Sequence, residues 1–224
     1  RHVCTTETTA DMGEQAARRA LENAGVRAEE LDLIIGATIS ADTISPGLAG
    51  MVQNRIGAHC PAFDINVACP GFLFALDTAA GFFERKTVKK VLVVSSERMS
   101  GLVDWTDRGT CCIFGDGSGA AVLGEGDSYL ASELHTKGGE DVIAIPTWWN
   151  NSPFYQKELR KNCVFMQGQE TYKFAVTAMP ADIKAVLEKA GLRGEDVSIV
   201  IPHQANYRII NEARKRLPEI DPEK

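Results

Sequence analysis

LENAGVRAEELDLII, residues 21–35, returns near the far end of the chain as LEKAGLRGEDVSIVI, residues 187–201. The offset is 166 throughout, and positions 21, 22, 24, 25, 27, 29 and 35 are identical to their mates. Most other pairs keep their polarity. Each copy reads as a helix end, a glycine stop, an acidic turn and an apolar strand. Ahead of the first copy, Met12, Ala16, Ala20 and Leu21 recur at helical spacing, and Thr8 or Thr9 is placed to cap that helix. Residues 31–37, LDLIIGA, suit a parallel strand covered on both faces. A duplicated αβ unit accounts for the pair, with chance likeness between αβ units as the alternative.

Working outward, strands and helices alternate. Helices are expected over about 46–56 and 70–84, and strands over 62–67 and 90–95. Residues 111–114 and 119–123 read as two further strands. Residues 124–167 are irregular, with Gly138, Gly139 and the WWNN run at 148–151, and suggest a long functional excursion. A helix over about 169–190, which Pro180 is expected to kink, and another over 204–217 close the pattern. The order implies an α/β protein with mainly parallel sheets, divided into halves at 1–125 and 126–224.

The bulk composition excludes several classes. A net charge of −6 argues against general nucleic-acid binding. No apolar run approaches the roughly 20 residues that span a bilayer, and no signal peptide opens the chain. None of the six cysteines forms a C-x-x-C pair, so zinc and thioredoxin-like readings lack support. Reduced thiols in a cytoplasm are expected. The chain opens at Arg1 without Met and stops soon after Pro222, which suggests a fragment.

The strongest chemical signal is FDINVACPGFLFAL, residues 63–76. A strand ends, Cys69 follows, and a helix begins at Pro70, whose missing N–H costs nothing in a first turn. Cys69 then faces the positive end of the helix dipole, which is expected to lower its pKa. Free N–H groups there also suit an oxyanion hole. The plainer alternative is a buried packing cysteine. Cys111 and Cys112 are read as structural, and Cys163 as packing.

His203 stands in IVIPHQAN, residues 199–206, where the second copy's strand ends. Catalytic groups gather at the carboxyl ends of strands in α/β sheets. Cys69 lies at such an end too, so the two are expected to meet between the halves. A structural histidine ahead of a helix is the alternative. His59, His135 and His2 are expected to be solvated.

Taken together, AFDINVACPGFLFAL (62–76), DWTDRGTCCIFGDGSGAAVL (104–123) and IPHQANYRII (201–210) closely resemble the β-ketoacyl-acyl-carrier-protein synthase III family. The early helix and MQGQETYKFAV (166–176) extend that resemblance over nearly the whole chain. It implies a thiolase-like fold, two duplicated αβ halves in αβαβα layers. It implies Cys69 as nucleophile and His203 as its partner, with Arg108 and Asn206 contacting coenzyme A or its pantetheine arm. The implied reaction is a decarboxylative condensation of an acyl-CoA with malonyl-acyl carrier protein, with no cofactor beyond the thioester substrate. A homodimer is implied as well. The family's second oxyanion donor, an asparagine in a G-N-T-S-like motif, has no counterpart in this stretch, so the isolated chain is expected to be inactive in condensation. Rival readings are a polyketide-priming enzyme or thiolase of the same fold, a cysteine hydrolase, and a non-catalytic remnant.

Two other features stand out in the sequence. Residues 115–120 fit G-x-G-x-x-A, but AVL follows where a Rossmann fingerprint needs a helix. Arg208, Lys215 and Arg216 on the last helix, with Lys173, are expected to dock an acidic carrier protein by local complementarity. The ordinary alternative is a solvated polar face. Residues 43–46 and 140–165 are expected to shape the acyl pocket.

Overall fold

The computed structural model describes residues 2–146, 153–154, 162–221 and 223. The described chain divides into two units. The first comprises residues 1–101 and 115–129, and the second comprises 102–114 and 130–224. These contact units do not follow the boundary expected between 125 and 126, because 102–114 packs with the later residues.

In the first unit, α1 (Thr9–Ala24) leads into β1 (Leu33–Ala37), α2 (Leu48–Ile56), β2 (Ala62–Ile65), α3 (Gly71–Glu84), β3 (Lys90–Arg98) and β4 (Asp116–Gly124). The sheet order is β2-β1-β3-β4. β1 runs parallel to both β2 and β3, while β4 is antiparallel to β3. Every residue of β1 is buried, as its continuous apolar run requires. Ile34, Leu92 and Val94 pack on one face against Ala17, Leu48 and Val52 of α1 and α2. Leu33, Ile35, Val91 and Val93 pack on the other face against Ala75 and Ala79 of α3. Full burial of such side chains is worth roughly 1.5–3 kcal/mol each.

Carboxylates seat the helix starts. Asp64 on β2 accepts from the N–H groups of Leu48 (2.6 Å) and Ala49 (2.7 Å), fixing the first turn of α2. Asp42 does the same for α1 through Thr9 (2.9 Å) and Ala10 (2.8 Å). Both satisfy orphan donors and meet the positive end of the dipole. A Cβ added at Gly36 or Gly47 would strike the Asp64 carboxylate, so both glycines make room for that cap.

The second unit holds β5 (Ile143–Ala144) paired antiparallel with β6 (Phe165–Met166), then α4 (Gly168–Ala190) and α5 (Tyr207–Lys215). Pro180 lies inside α4 and is buried. α4 and α5 border a groove of about 480 Å³ whose lining includes Met179, Ile183, Ile210, Leu217 and Ile220. The WWNN run at 148–151 and much of the expected 140–165 pocket segment lie outside the described residues.

Residues 111–114 correct the expectation of a strand. Asp107 accepts from Gly109 N–H (2.9 Å) and the Thr110 hydroxyl (2.7 Å), which coils the chain into turns. Cys111 N–H then reaches the Asp107 carbonyl (3.0 Å), and Ile113 N–H that of Thr110 (3.0 Å). Cys112 is therefore exposed rather than alternating in a strand. The G-x-G-x-x-A stretch lies largely in β4, with no helix following it, as its sequel indicated.

A candidate acyl-carrying cysteine site

Cys69 belongs to the first unit, between the end of β2 and the start of α3. Pro70 is the residue ahead of α3 and Gly71 opens it. The turn depends on Ala68, whose φ is +52°. That left-handed conformation costs a residue with a Cβ roughly 1–2 kcal/mol, and strain of this kind gathers at functional sites. Gly71 N–H closes the turn on the Ala68 carbonyl at 3.0 Å. A Cβ on Gly71 would stand 3.1 Å from the Ala37 Cβ, so glycine lets α3 approach the end of β1. The result is a sharp strand–turn–helix presentation that leaves Cys69 exposed.

The expected lowering of the thiol pKa is corrected. Although the residue is exposed overall, the walls around its sulfur push the Cys69 pKa up by desolvation, and the charge of Glu97 adds to the rise. A backbone hydrogen bond at Cys69 opposes them. The thiol stands ahead of the helix in the turn, and its pKa lies above the ordinary thiol value. A base is then needed to take its proton.

The second unit carries the other expected residues. His203 is exposed, in the segment before α5. Asn206 caps α5, accepting from Arg208 N–H through Oδ1 at 2.9 Å. Arg108 is exposed on the turn that Asp107 shapes, and its carbonyl accepts from Cys112 Sγ at 3.2 Å. Three of the four cations expected to dock a carrier protein have carboxylate neighbours. Lys173 pairs with Glu170 (2.7 Å), while Lys215 (3.2 Å) and Arg216 (3.9 Å) share Glu212. Arg208 forms no ion pair among the described residues, and its face is solvent-exposed. His59 is exposed as expected, and His135 is exposed between Glu133 (3.2 Å) and Asp182 (3.0 Å). Among the described residues no group of His, Cys, Asp or Glu is arranged to hold a metal ion. No helix among them is long and apolar enough to cross a membrane.

Sequence reasoning missed Ala68, since alanine gives no sign of a left-handed turn. It also missed Glu97, whose partners lie some 57 positions earlier in the chain.

A mixed sheet that presents a cysteine on such a turn fits an α/β enzyme of the thiolase-fold class. Comparison with known proteins specifies it further. Residues 63–138 match the 3-oxoacyl-acyl-carrier-protein synthase III model, and residues 187–224 match the model of that enzyme's C-terminal part. The β-ketoacyl-acyl-carrier-protein synthase III of Clostridium acetobutylicum is 43% identical over 222 residues, covering 97% of this chain and 68% of that protein. That of Caldanaerobacter subterraneus is 43% identical over 218 residues, covering 94% and 66%. The crystal structure of the Aquifex aeolicus synthase III superposes with a TM-score of 0.88 at 40% identity, covering all of this chain and 70% of that one. The priming β-ketosynthase of the R1128 polyketide pathway gives 0.88 at 33% identity, covering 99% and 67%. The chain belongs to the β-ketoacyl-acyl-carrier-protein synthase III family. It spans about two thirds of the length of these relatives.

Proposed function

We propose that this chain carries the acyl-transfer machinery of a β-ketoacyl-acyl-carrier-protein synthase III, with Cys69 as the acyl acceptor. The observation that carries the reading is the Ala68 turn, which exposes Cys69 at the head of α3 inside the matched segment. The Cys69 sulfur attacks the thioester carbon of an acyl-CoA such as acetyl-CoA. Coenzyme A leaves as its thiol, and the acyl group stays on sulfur. Malonyl-acyl carrier protein then loses carbon dioxide, and its carbanion attacks the Cys69 thioester, breaking the bond to Cys69 sulfur, which leaves as thiolate, and giving a β-ketoacyl product on the carrier protein. His203 donates to the thioester oxygen on which charge builds during decarboxylation, a contribution of roughly 10²–10³ in rate for such donors. Arg108 and Asn206 hold the coenzyme A arm. No cofactor takes part beyond the thioester, and the enzyme works in the cytoplasm as a homodimer.

Incubation with acetyl-CoA followed by peptide mass spectrometry tests the core of this. An acetyl increment is expected on the Cys69 peptide, and it vanishes in Cys69→Ser. An unmodified Cys69 in the wild-type protein would sink the reading. Carrier-protein docking through Lys173, Arg208, Lys215 and Arg216 is tested by Arg208→Glu. That change is expected to weaken binding of the carrier protein several-fold in titration and leave acetylation of Cys69 by acetyl-CoA unchanged; equal effects on both would remove the docking role.

A further inference from the structure

β1 lies between β2 and β3, and its register places the ends of both neighbours at one edge of the sheet. Ala37 pairs with Ile65 on one side and with Ser95 on the other. Cys69 follows β2 from that edge, and Glu97 lies two residues beyond Ser95 in β3. Between them runs the turn that leaves β1, Thr38 to Ser40. The Glu97 side chain gathers this turn. It accepts from Ile39 N–H at 2.8 Å, from the Thr38 hydroxyl at 3.3 Å and from the Ser40 hydroxyl. Ser40 in turn accepts from Arg98 N–H at 2.8 Å, and its carbonyl accepts from the Thr9 hydroxyl at 2.7 Å. One carboxylate thus ties the ends of β1 and β3 together, through a turn linked on to α1.

The other acidic groups on neighbouring elements are engaged elsewhere. Asp64 on β2 caps α2, and Asp42 beyond the turn caps α1. Arg98, next to Glu97, is exposed and acts on Cys4 and Asp116. Glu97 is the charged side chain whose field acts on Cys69. Its own pKa is raised by desolvation, opposed by the hydrogen bonds from Ser40, Ile39 and Thr38. A desolvated carboxylate at the end of the sheet that presents a nucleophile is a candidate for a role in that site.

We propose that Glu97 is a positioning residue for the nucleophile: its carboxylate fixes the turn after β1 at the end of the sheet from which Cys69 is presented, and it carries its charge at that same end. This rests on Cys69 being the acyl acceptor. A thiol kept protonated at rest is shielded from oxidation and stray alkylation, because the thiolate is the reactive form. It is released when a base takes the proton and an acyl thioester is in place.

The test is the pH profile of Cys69 alkylation by iodoacetamide, read by mass spectrometry of the Cys69 peptide in the full chain. Glu97→Gln keeps much of the hydrogen bonding and removes the charge. Its midpoint is expected below that of wild type, because a like charge at the same end of the sheet is gone. Glu97→Asp keeps the charge and is expected to stay close to wild type. A purely structural Glu97 would give equal loosening in both variants and no downward shift, and that result would overturn the proposal. If circular dichroism shows Glu97→Gln unfolded, Ser40→Ala replaces it. That variant keeps the carboxylate and removes a donor that offsets its field, so the midpoint is expected to rise; a fall or no change would overturn the proposal. Acyl transfer is not read in this assay, so its failure is distinct from failure of the acetylation test above.

Discussion

The two copies of the repeat share their turns and part company at their strands. Gly25 and Gly191 both end a helix in the left-handed region, at φ 63° and 67°. Gly25 N–H bonds the Glu22 carbonyl (3.1 Å) and Val26 N–H that of Leu21 (3.0 Å). The mates 166 positions later do the same, Gly191 to Glu188 (3.0 Å) and Leu192 to Leu187 (2.9 Å). Arg27 N–H bonds the Glu30 carboxylate at 3.0 Å, and Arg193 N–H that of Asp196 at 2.9 Å. A short 3₁₀ turn follows in each, Ala28–Glu30 and Gly194–Asp196. Then the copies diverge. Leu33 and Ile35 are buried in β1, whereas their mates Ile199 and Ile201 are 66% and 79% exposed and lie in no strand among the described residues. Caps are satisfied within a few residues of chain. A strand needs neighbours from far along it.

The largest test of this difference lies at the strand. Ile35→Ala empties a fully buried site, and such truncations cost roughly 2–5 kcal/mol. Ile201→Ala at the mate position removes an exposed side chain, and surface changes stay within about 0.5 kcal/mol. Urea unfolding of each variant, with amide exchange reporting on the two units separately, checks the contrast. Equal losses would mean that residues 199–201 are packed in solution as β1 is.

This difference also marks what was legible beforehand. The glycine stops, the first helix, β1 to β3 and the cysteine ahead of α3 follow from residues close in sequence, where period and turn chemistry speak. The strand expected at 111–114 failed because Asp104 and Asp107 form turns that no apolar pattern reveals. The thiol pKa failed for a related reason. The helix start was visible from Pro70 and Gly71, but desolvation of the sulfur is not written in its neighbours, and the charge of Glu97 comes from another strand. The fold class and the place of Cys69 ahead of α3 were thus readable from the sequence, whereas the charge environment of that thiol required the packed sheet.

The middle-sized test is aimed at what the copies share. Gly25→Ala and Gly191→Ala each force a Cβ into the left-handed region, and a Cβ at either position meets open space. The cost is conformational alone, about 1–2 kcal/mol, and is expected to match in the two copies. The measurement is the change in amide exchange free energy at the ends of α1 and α4. A loss at one glycine and none at the other would show that the shared geometry is not shared energetics.

The smallest effect separates the copies again, at their acidic turn residues. Glu30 and Asp196 both bond a backbone N–H three positions back, but Glu30 also reaches β3 through Lys90 Nζ at 2.6 Å. The hydrogen bond from Lys90, then that from Arg27 N–H, holds the Glu30 carboxyl below its ordinary value. A group whose folded pKa is lowered stabilises fully above its unfolded pKa, near 4.3 for glutamate. That stabilisation is lost as pH falls through the lower folded value. Glu30→Gln is therefore expected to lower the thermal midpoint slightly at pH 7, with the gap to wild type closing as the pH is taken below about 4. Solvent and salt screen this exposed pair, so the gap also narrows in high salt. Asp196→Asn removes the backbone bond without a link to a sheet, and is expected to shift the midpoint less than Glu30→Gln. A Glu30→Gln gap that persists unchanged in acid would mean that packing of the side chain, not its charge, ties this turn to β3.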